Sequence, residues 1–358
     1  MAQNWHCASP QPGEWMKGKL VGSGSFGVVH LAMNKATGAL FVVKSAQSEA
    51  GLQSLENEAN ILESLNSPHI VHCIGRESNG VNGGKEFNLF LEYVAGGNLS
   101  DVAEKFGGAL DERVIRLYTR EILLGLKHLH KNGIVHCDLK CKNVLLGSSG
   151  DVKLADFGCA KRLNGSKTNG GSMQLSKSFA GTPLWMAPEV LRNEGLDFAA
   201  DIWSLGCTVI EMATGRPPWG DEALNPMAFM MKIACSNETP RFPHEFSKEG
   251  LDFLAKCLER NPKKRWKTEE LLNHPFILGT LERGSFKKEE WACSPASILD
   301  VGICEDGYES DESVGGEFRT RIPFSSRCCE ERKGIMPWKH QPESDFLLSG
   351  NWITVRSG

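Results

Sequence analysis

Short apolar runs dominate the first ninety residues, and a longer period takes over after them. From Trp15 the stretches GKLVG, GVVHLAMN and ALFVVKSA are rich in aliphatic and β-branched residues and separated by turn residues Asn34 and Thr37-Gly38. That pattern predicts consecutive strands. Leu52 to Leu65 has helical spacing and stops at Asn66, Ser67 and Pro68. Phe87 to Tyr93 reads as a further strand. Between Asp111 and His130 the residues Val114, Leu117, Tyr118, Ile122 and Leu126 recur on one helical face, and Gly133 supplies a stop. The chain from there to about Leu278 reads as mostly helical.

The resulting expectation is an α+β protein, with a small strand-rich half followed by a larger helical one. A cleft between two such halves commonly takes a small ligand. Residues 1–14 read as a flexible arm. After about Gly279 the acidic run EDGYESDES interrupts all periodicity, and Trp338, Phe346, Leu347, Leu348 and Trp352 then bring apolar residues back. Residues 279–358 are therefore read as a partly disordered tail, either docking on the main domain and recruiting a regulatory partner or simply solvated.

Composition narrows the classes. The chain has 358 residues, 41% hydrophobic and 23% charged, with a net charge of −4. Nothing in that balance calls for nucleic acid or a membrane surface. No apolar run approaches the roughly 20 residues of a membrane span. The start, MAQNWHCASP, has no apolar leader core and has Ala2 rather than glycine, so neither secretion nor N-myristoylation is expected. The 12 cysteines show no paired C-x-x-C spacing, which favours reduced thiols over disulfides or zinc. Cytoplasm, nucleus or both suit this composition. No heptads are visible, and a monomer is expected.

The candidate chemistry begins with GSGSFGVV, which holds G-x-G-x-x-G-x-V at Gly22, Gly24, Gly27 and Val29. Glycines let backbone N–H groups approach phosphate oxygens. A strand follows rather than a helix, so the glycines suit a flap over a nucleotide. Lys44 lies inside the apolar strand FVVKSA and needs a partner there; Glu58, on the next helix, is the candidate. In IVHCDLKCKNVLL, Asp138 can accept a hydroxyl proton, Lys140 can neutralise a transferring phosphoryl group, and Asn143 can hold a divalent cation. LADFG adds Asp156 as a second cation ligand. Phosphoryl transfer needs little more than cations on the phosphates and an oriented nucleophile.

In that order these residues resemble a eukaryotic protein kinase from about Trp15 to Leu278. The resemblance implies a bilobal fold, with an N-lobe of about 15–92, a C-lobe of about 95–278, and ATP with Mg²⁺ as cofactors. It implies that Val21, Gly22, Gly24, Gly27 and Val29 cover the nucleotide, and that Lys44 and Glu58 pair beside its phosphates. Leu91 matches the gatekeeper, and Glu92 to Val94 the hinge that binds adenine. Asp138 matches the catalytic base, and Asn143 and Asp156 the metal ligands. Arg265 matches the partner of Glu189 in the APE motif, and Asp201 the brace of the catalytic loop. Lys140 and Thr182 resemble the serine/threonine-specific pattern.

WMKGKLVGSGSFGVVHLA, SPHIVHCIG, LEYVAGGNL and GTPLWMAPEV are similar to the MEKK group of mitogen-activated protein kinase kinase kinases. HCDLKCKNVLL and the long tail resemble its short plant members. That resemblance implies phosphorylation of mitogen-activated protein kinase kinases, in stress or hormone signalling. A scaffold that transfers no phosphate, and a serine/threonine kinase with another substrate, are the rival readings.

One position departs from the pattern. Cys137 stands where most kinases have an arginine that receives an activation-loop phosphate. Ser178, four residues before Thr182, matches the primary phosphosite. Weaker dependence on its phosphorylation is therefore expected. Cys137, Cys141 and Cys159 are expected near the active site, where the default is small buried cysteine and a redox-sensitive thiol is the alternative.

Overall fold

A five-stranded antiparallel sheet, ordered β1-β2-β3-β5-β4, forms the first half of the chain. The structure is a computed structural model describing residues 10, 13–24, 27–81, 84–163, 181–220 and 226–279. The strands are β1 Trp15–Gly24, β2 Gly27–Asn34, β3 Leu40–Ser45, β4 Cys73–Val81 and β5 Gly84–Glu92. Helix α1, Glu49–Leu62, follows β3 and starts three residues before the apolar pattern suggests, because the Ser48 side chain caps its first turn. It also ends three residues before the expected Leu65. Ser64 and Leu65 donate to carbonyls three residues back, so the last turn tightens out of the α form.

Strand pairing sorts the side chains. Direct pairs share a face, and Gly22, Val29, Lys44 and Leu89 are paired in sequence across four strands. The opposite face carries Ala32, Phe41, Val43 and Phe90, all buried. Trp15 closes it, its ring 5.6 Å from Phe90 and 6.3 Å from Phe41 in edge-on contacts. Strand β4 was not legible in CIGRESNGV. It is the outer strand, held by its backbone to β5, and needs no clear apolar alternation.

The second half is mainly helical. Helix α2 spans Leu99–Lys105 and α3 spans Glu112–Lys131, with Asp111 capping the latter and Gly133 (φ 72°) ending it. The α3 face buried in the core is Ile115, Tyr118, Ile122, Leu126 and Leu129; Leu117, expected there, is 49% exposed. Short strands β6 Ile134–Val135, β7 Val144–Leu146, β8 Val152–Leu154 and β9 Lys161–Arg162 follow, pairing as β6-β9 and β7-β8. The helices α4 Pro188–Leu191, α5 Ala199–Thr214, α6 Pro226–Cys235, α7 Lys248–Cys257, α8 Thr268–Leu272 and α9 Pro275–Leu278 complete the C-lobe. Helix α5 is buried on nearly every side, consistent with its mainly apolar sequence, and the polar residues it buries, Asp201, Ser204 and Thr208, all have hydrogen-bond partners.

The result is a bilobal α+β protein kinase fold. Residues 1–9, the rest of the proposed activation segment including Ser178, and the tail from residue 280 lie outside the described residues.

Candidate active site

Lys44 meets two carboxylates. Its Nζ lies 2.7 Å from Glu58 Oε2 and 2.7 Å from Asp156 Oδ1. The sequence pointed to Glu58; Asp156, 112 residues away, is the partner it did not disclose. Burial alone would push the ammonium down, but the two carboxylates outweigh it and hold Lys44 above its ordinary range. Burial would also raise Asp156, and Lys44 reverses that, keeping its carboxyl below the ordinary value. The lysine is thus charged and fixed on the floor of the sheet.

The glycine-rich turn is built by the β1–β2 hairpin. Gly22 pairs with Val29 and Gly24 with Gly27. Gly27 (φ 150°) is required sterically: a Cβ there would stand 2.2 Å from the Ser45 carbonyl oxygen. Val21 and Val29 are half-buried beside these glycines. At the other end of the sheet, Leu91 is buried and pairs with Val42, next to the half-buried Glu92. The Glu92 carboxylate accepts the His72 N–H at 2.7 Å and pairs with Lys153 of β8 at 2.9 Å. Val94, where the chain crosses to the C-lobe, packs against the core.

A second cluster is tied to the first through the backbone, the Ala155 N–H donating to the Asn143 carbonyl at 2.9 Å. Thr182 Oγ1 donates to Asp138 Oδ1 at 2.6 Å, and Lys140 Nζ donates to the same hydroxyl at 2.5 Å. Lys140 also pairs with Asp138 Oδ2 at 3.1 Å. The Asn143 amide nitrogen donates to the Asp138 carbonyl at 2.7 Å and to Oδ2 at 2.9 Å. That fixes the amide orientation and leaves the Asn143 amide oxygen as the group available for a ligand. Asn143 and Asp156 offer only oxygen donors, which suits a small hard divalent cation such as Mg²⁺.

The loop carrying Asp138 is held from beneath. Asp201, fully buried on α5, accepts the His136 N–H at 2.9 Å and the Cys137 N–H at 3.0 Å, with His130 Nε2 at 2.9 Å. Cys137 itself is left-handed (φ 67°), as is Asp156 (φ 65°). Gly181 (φ 123°) lies against it: a Cβ there would come 2.6 Å from the Cys137 carbonyl oxygen. Glu211 joins the loop to the segment after Gly181, accepting the Cys141 N–H and the Trp185 indole N–H, each at 3.0 Å. Arg265 forks onto Glu189 at 2.7 and 3.1 Å. His130 and Glu211 carry no motif signal that singled them out in the sequence, whereas His136 opens the HCDLKCKNVLL loop.

The three cysteines do gather around this loop. Burial, reinforced by nearby carboxylates, pushes the Cys137, Cys141 and Cys159 thiols up. That shift is opposite in direction to the one that favours the thiolates oxidation selects. Asp201 holds the loop through the His136 and Cys137 main-chain N–H groups, contacts that do not depend on the side chain at 137.

Comparison with known proteins agrees with this geometry. The family described as Protein kinase domain matches residues 15–277. Mitogen-activated protein kinase kinase kinase 20 of Arabidopsis thaliana is 41% identical over 353 residues, covering 96% of this chain and 100% of that protein. Mitogen-activated protein kinase kinase kinase 3 of the same species is 42% identical over 277 residues, 74% of this chain and 41% of its own length. For mitogen-activated protein kinase kinase kinase 2 the figures are 40% over 318 residues, 85% and 47%. The chain thus spans less than half the length of these last two relatives.

Proposed function

Because this chain belongs to the protein kinases, and among them to the mitogen-activated protein kinase kinase kinases, we propose that it transfers the γ-phosphoryl group of ATP to serine or threonine hydroxyls of a mitogen-activated protein kinase kinase. The observation that carries this reading is a pair of charge clusters joined through the backbone: Lys44, Glu58 and Asp156 in one, Asp138, Lys140, Asn143 and Thr182 in the other, with the Ala155 N–H, next to Asp156, donating to the Asn143 carbonyl at 2.9 Å.

In this reading Val21, Gly22, Gly24, Gly27 and Val29 cover the nucleotide, and Leu91 to Val94 line its base. Lys44, held by Glu58, places its charge against the α- and β-phosphates. Asn143 and Asp156 would hold Mg²⁺, which supplies positive charge to the β- and γ-phosphate oxygens. Asp138 takes the proton of the attacking hydroxyl; its Oδ1 already accepts a hydroxyl hydrogen bond from Thr182. Lys140 stabilises the negative charge on the transferring group. Thr182 lies between them, beside where the acceptor residue arrives. Ser178 is the phosphosite of the activation segment, and the tail recruits a regulatory partner.

The test is phosphate transfer from Mg-ATP by the full chain to a panel of catalytically inactive mitogen-activated protein kinase kinases, with Asp156→Asn as control. Transfer to activation-loop Ser/Thr of some panel members, absent in the control, is expected. ATP binding without transfer to the panel or to itself would replace this reading with a scaffold.

A further inference from the structure

Asn57 precedes the paired Glu58 on α1 and has no place in the phosphate chemistry. Its side-chain nitrogen nevertheless lies 2.9 Å from the Ala160 carbonyl, 3.2 Å from that of Gly158 and 3.4 Å from that of Phe157. An amide has only two hydrogens to give, so the three acceptors share them, with Ala160 the nearest. The acceptors belong to the tight turn just after Asp156. The Phe157 carbonyl also accepts the Ala160 N–H at 3.0 Å; Ala160 is buried, and its carbonyl, the nearest of the three, is costly to leave without a donor.

The neighbouring residue engages the same turn with the opposite polarity. Glu58 Oε1 accepts the Phe157 N–H at 3.2 Å while Oε2 pairs with Lys44. Helix α1 therefore grips the turn with two adjacent side chains, one taking its N–H and one giving to its carbonyls. Arg162 adds a tie further along, donating to Ser64 Oγ beyond the end of α1 at 2.7 Å. If α1 swings away or the Phe157 turn inverts, Asn57 loses its acceptors together with the Lys44–Glu58 pair. Asn57 carries no charge, and nothing in its contacts requires a phosphate.

We propose that Asn57 is a positioning residue: its amide locks α1 onto the Phe157–Ala160 turn and so holds Lys44, Glu58 and Asp156 in the arrangement phosphoryl transfer needs. The inference deepens the kinase reading above and rests on it for its catalytic consequence.

The test compares Asn57→Ala and Asn57→Asp with wild type in the full chain. The aspartate is nearly isosteric, but when ionised it presents acceptors to three carbonyls. For Asn57→Ala, a fall in kcat of about tenfold is expected, equivalent to about 1.4 kcal/mol, with peptide KM changed less than threefold. Asn57→Asp should lose more at pH about 8 and recover part of its kcat at pH about 6, relative to wild type, because the protonated carboxyl regains one donor. A residue that only supported folding would give no such pH-dependent recovery.

Amide hydrogen exchange reads the lock without any activity. Both variants should exchange faster across α1 and residues 156–160, with the α5 amides unchanged. Unchanged exchange there, or a kcat within twofold of wild type for both variants, would overturn the proposal. So would acceleration spread uniformly through α5. If wild type transfers no phosphate, the kinase reading fails, and the exchange result still decides whether Asn57 locks the turn.

Discussion

Replacing Asp201 by asparagine tests whether the catalytic loop is held by backbone bonds rather than by the residue at 137. The carboxylate has one oxygen on His136 N–H and His130, and the other on Cys137 N–H. An asparagine of the same shape has only one oxygen. If it keeps His136 and His130, its NH₂ faces the Cys137 N–H, and a buried donor is left unmade at about 1–3 kcal/mol. The remaining bonds lose their charge assistance, roughly half their strength. Cys137 is left-handed, a conformation costing about 1–2 kcal/mol, and its N–H bond is what opposes relaxation.

Together these favour a displaced Asp138 by about 3 kcal/mol, or roughly a hundredfold in kcat. Lys44, Glu58 and Asp156 are untouched, so the KM for ATP should stay within threefold. Steady-state kinetics with a peptide acceptor and saturating Mg-ATP measure both. A folded Asp201→Asn protein with less than a threefold loss in kcat would refute the reasoning, as would a defect confined to the KM for ATP. The variant also has an acid signature. Burial would raise the Asp201 carboxyl, but His130 and the hydrogen bonds outweigh this and hold it below its ordinary 3.8. Its stabilisation is therefore present above that value and is lost as pH falls through the lower folded one. Asp201→Asn should lack this component of acid unfolding.

Two further outcomes are expected. Arg265→Met leaves the Glu189 carboxylate buried without its fork and strips donors from the Ala199 and Glu259 carbonyls; it should cost about 3–5 kcal/mol in urea unfolding, and a loss under 1 kcal/mol would mean the pair is dispensable. Ser178→Ala should reduce activity less than a hundredfold, because no guanidinium at 137 waits for its phosphate. A larger loss in a radiometric assay would show that another cation does that work.

Much of this was legible in the sequence for a physical reason. A lysine inside FVVKSA demands a counter-charge, and the glycines before it demand a close backbone approach. Those requirements are local. What escaped was set by packing at long range. Asn57 reads as an ordinary helix polar residue until the turn 100 residues later is placed against it. Leu117 fits an apolar period, yet the α3 face that meets the core is centred on Ile122. Strand β4 satisfies its backbone on β5, so its side chains carry little of the signal. His130 and Glu211 act through single hydrogen bonds to elements distant in sequence, and no spacing rule announces such bonds.

The separation of Lys44 from Asp156 also has a consequence on the ribosome. The 112 positions that separate them take roughly 6 to 20 seconds to synthesise at about 5–20 residues per second. During that interval the sheet can form, but the Lys44–Asp156 pair cannot. Loop closure over such a span is slow and costs entropy before it yields contacts. The nascent N-lobe therefore carries Lys44 with Glu58 alone until Asp156 is made, and the floor of the sheet is completed only by a residue from the second half of the fold.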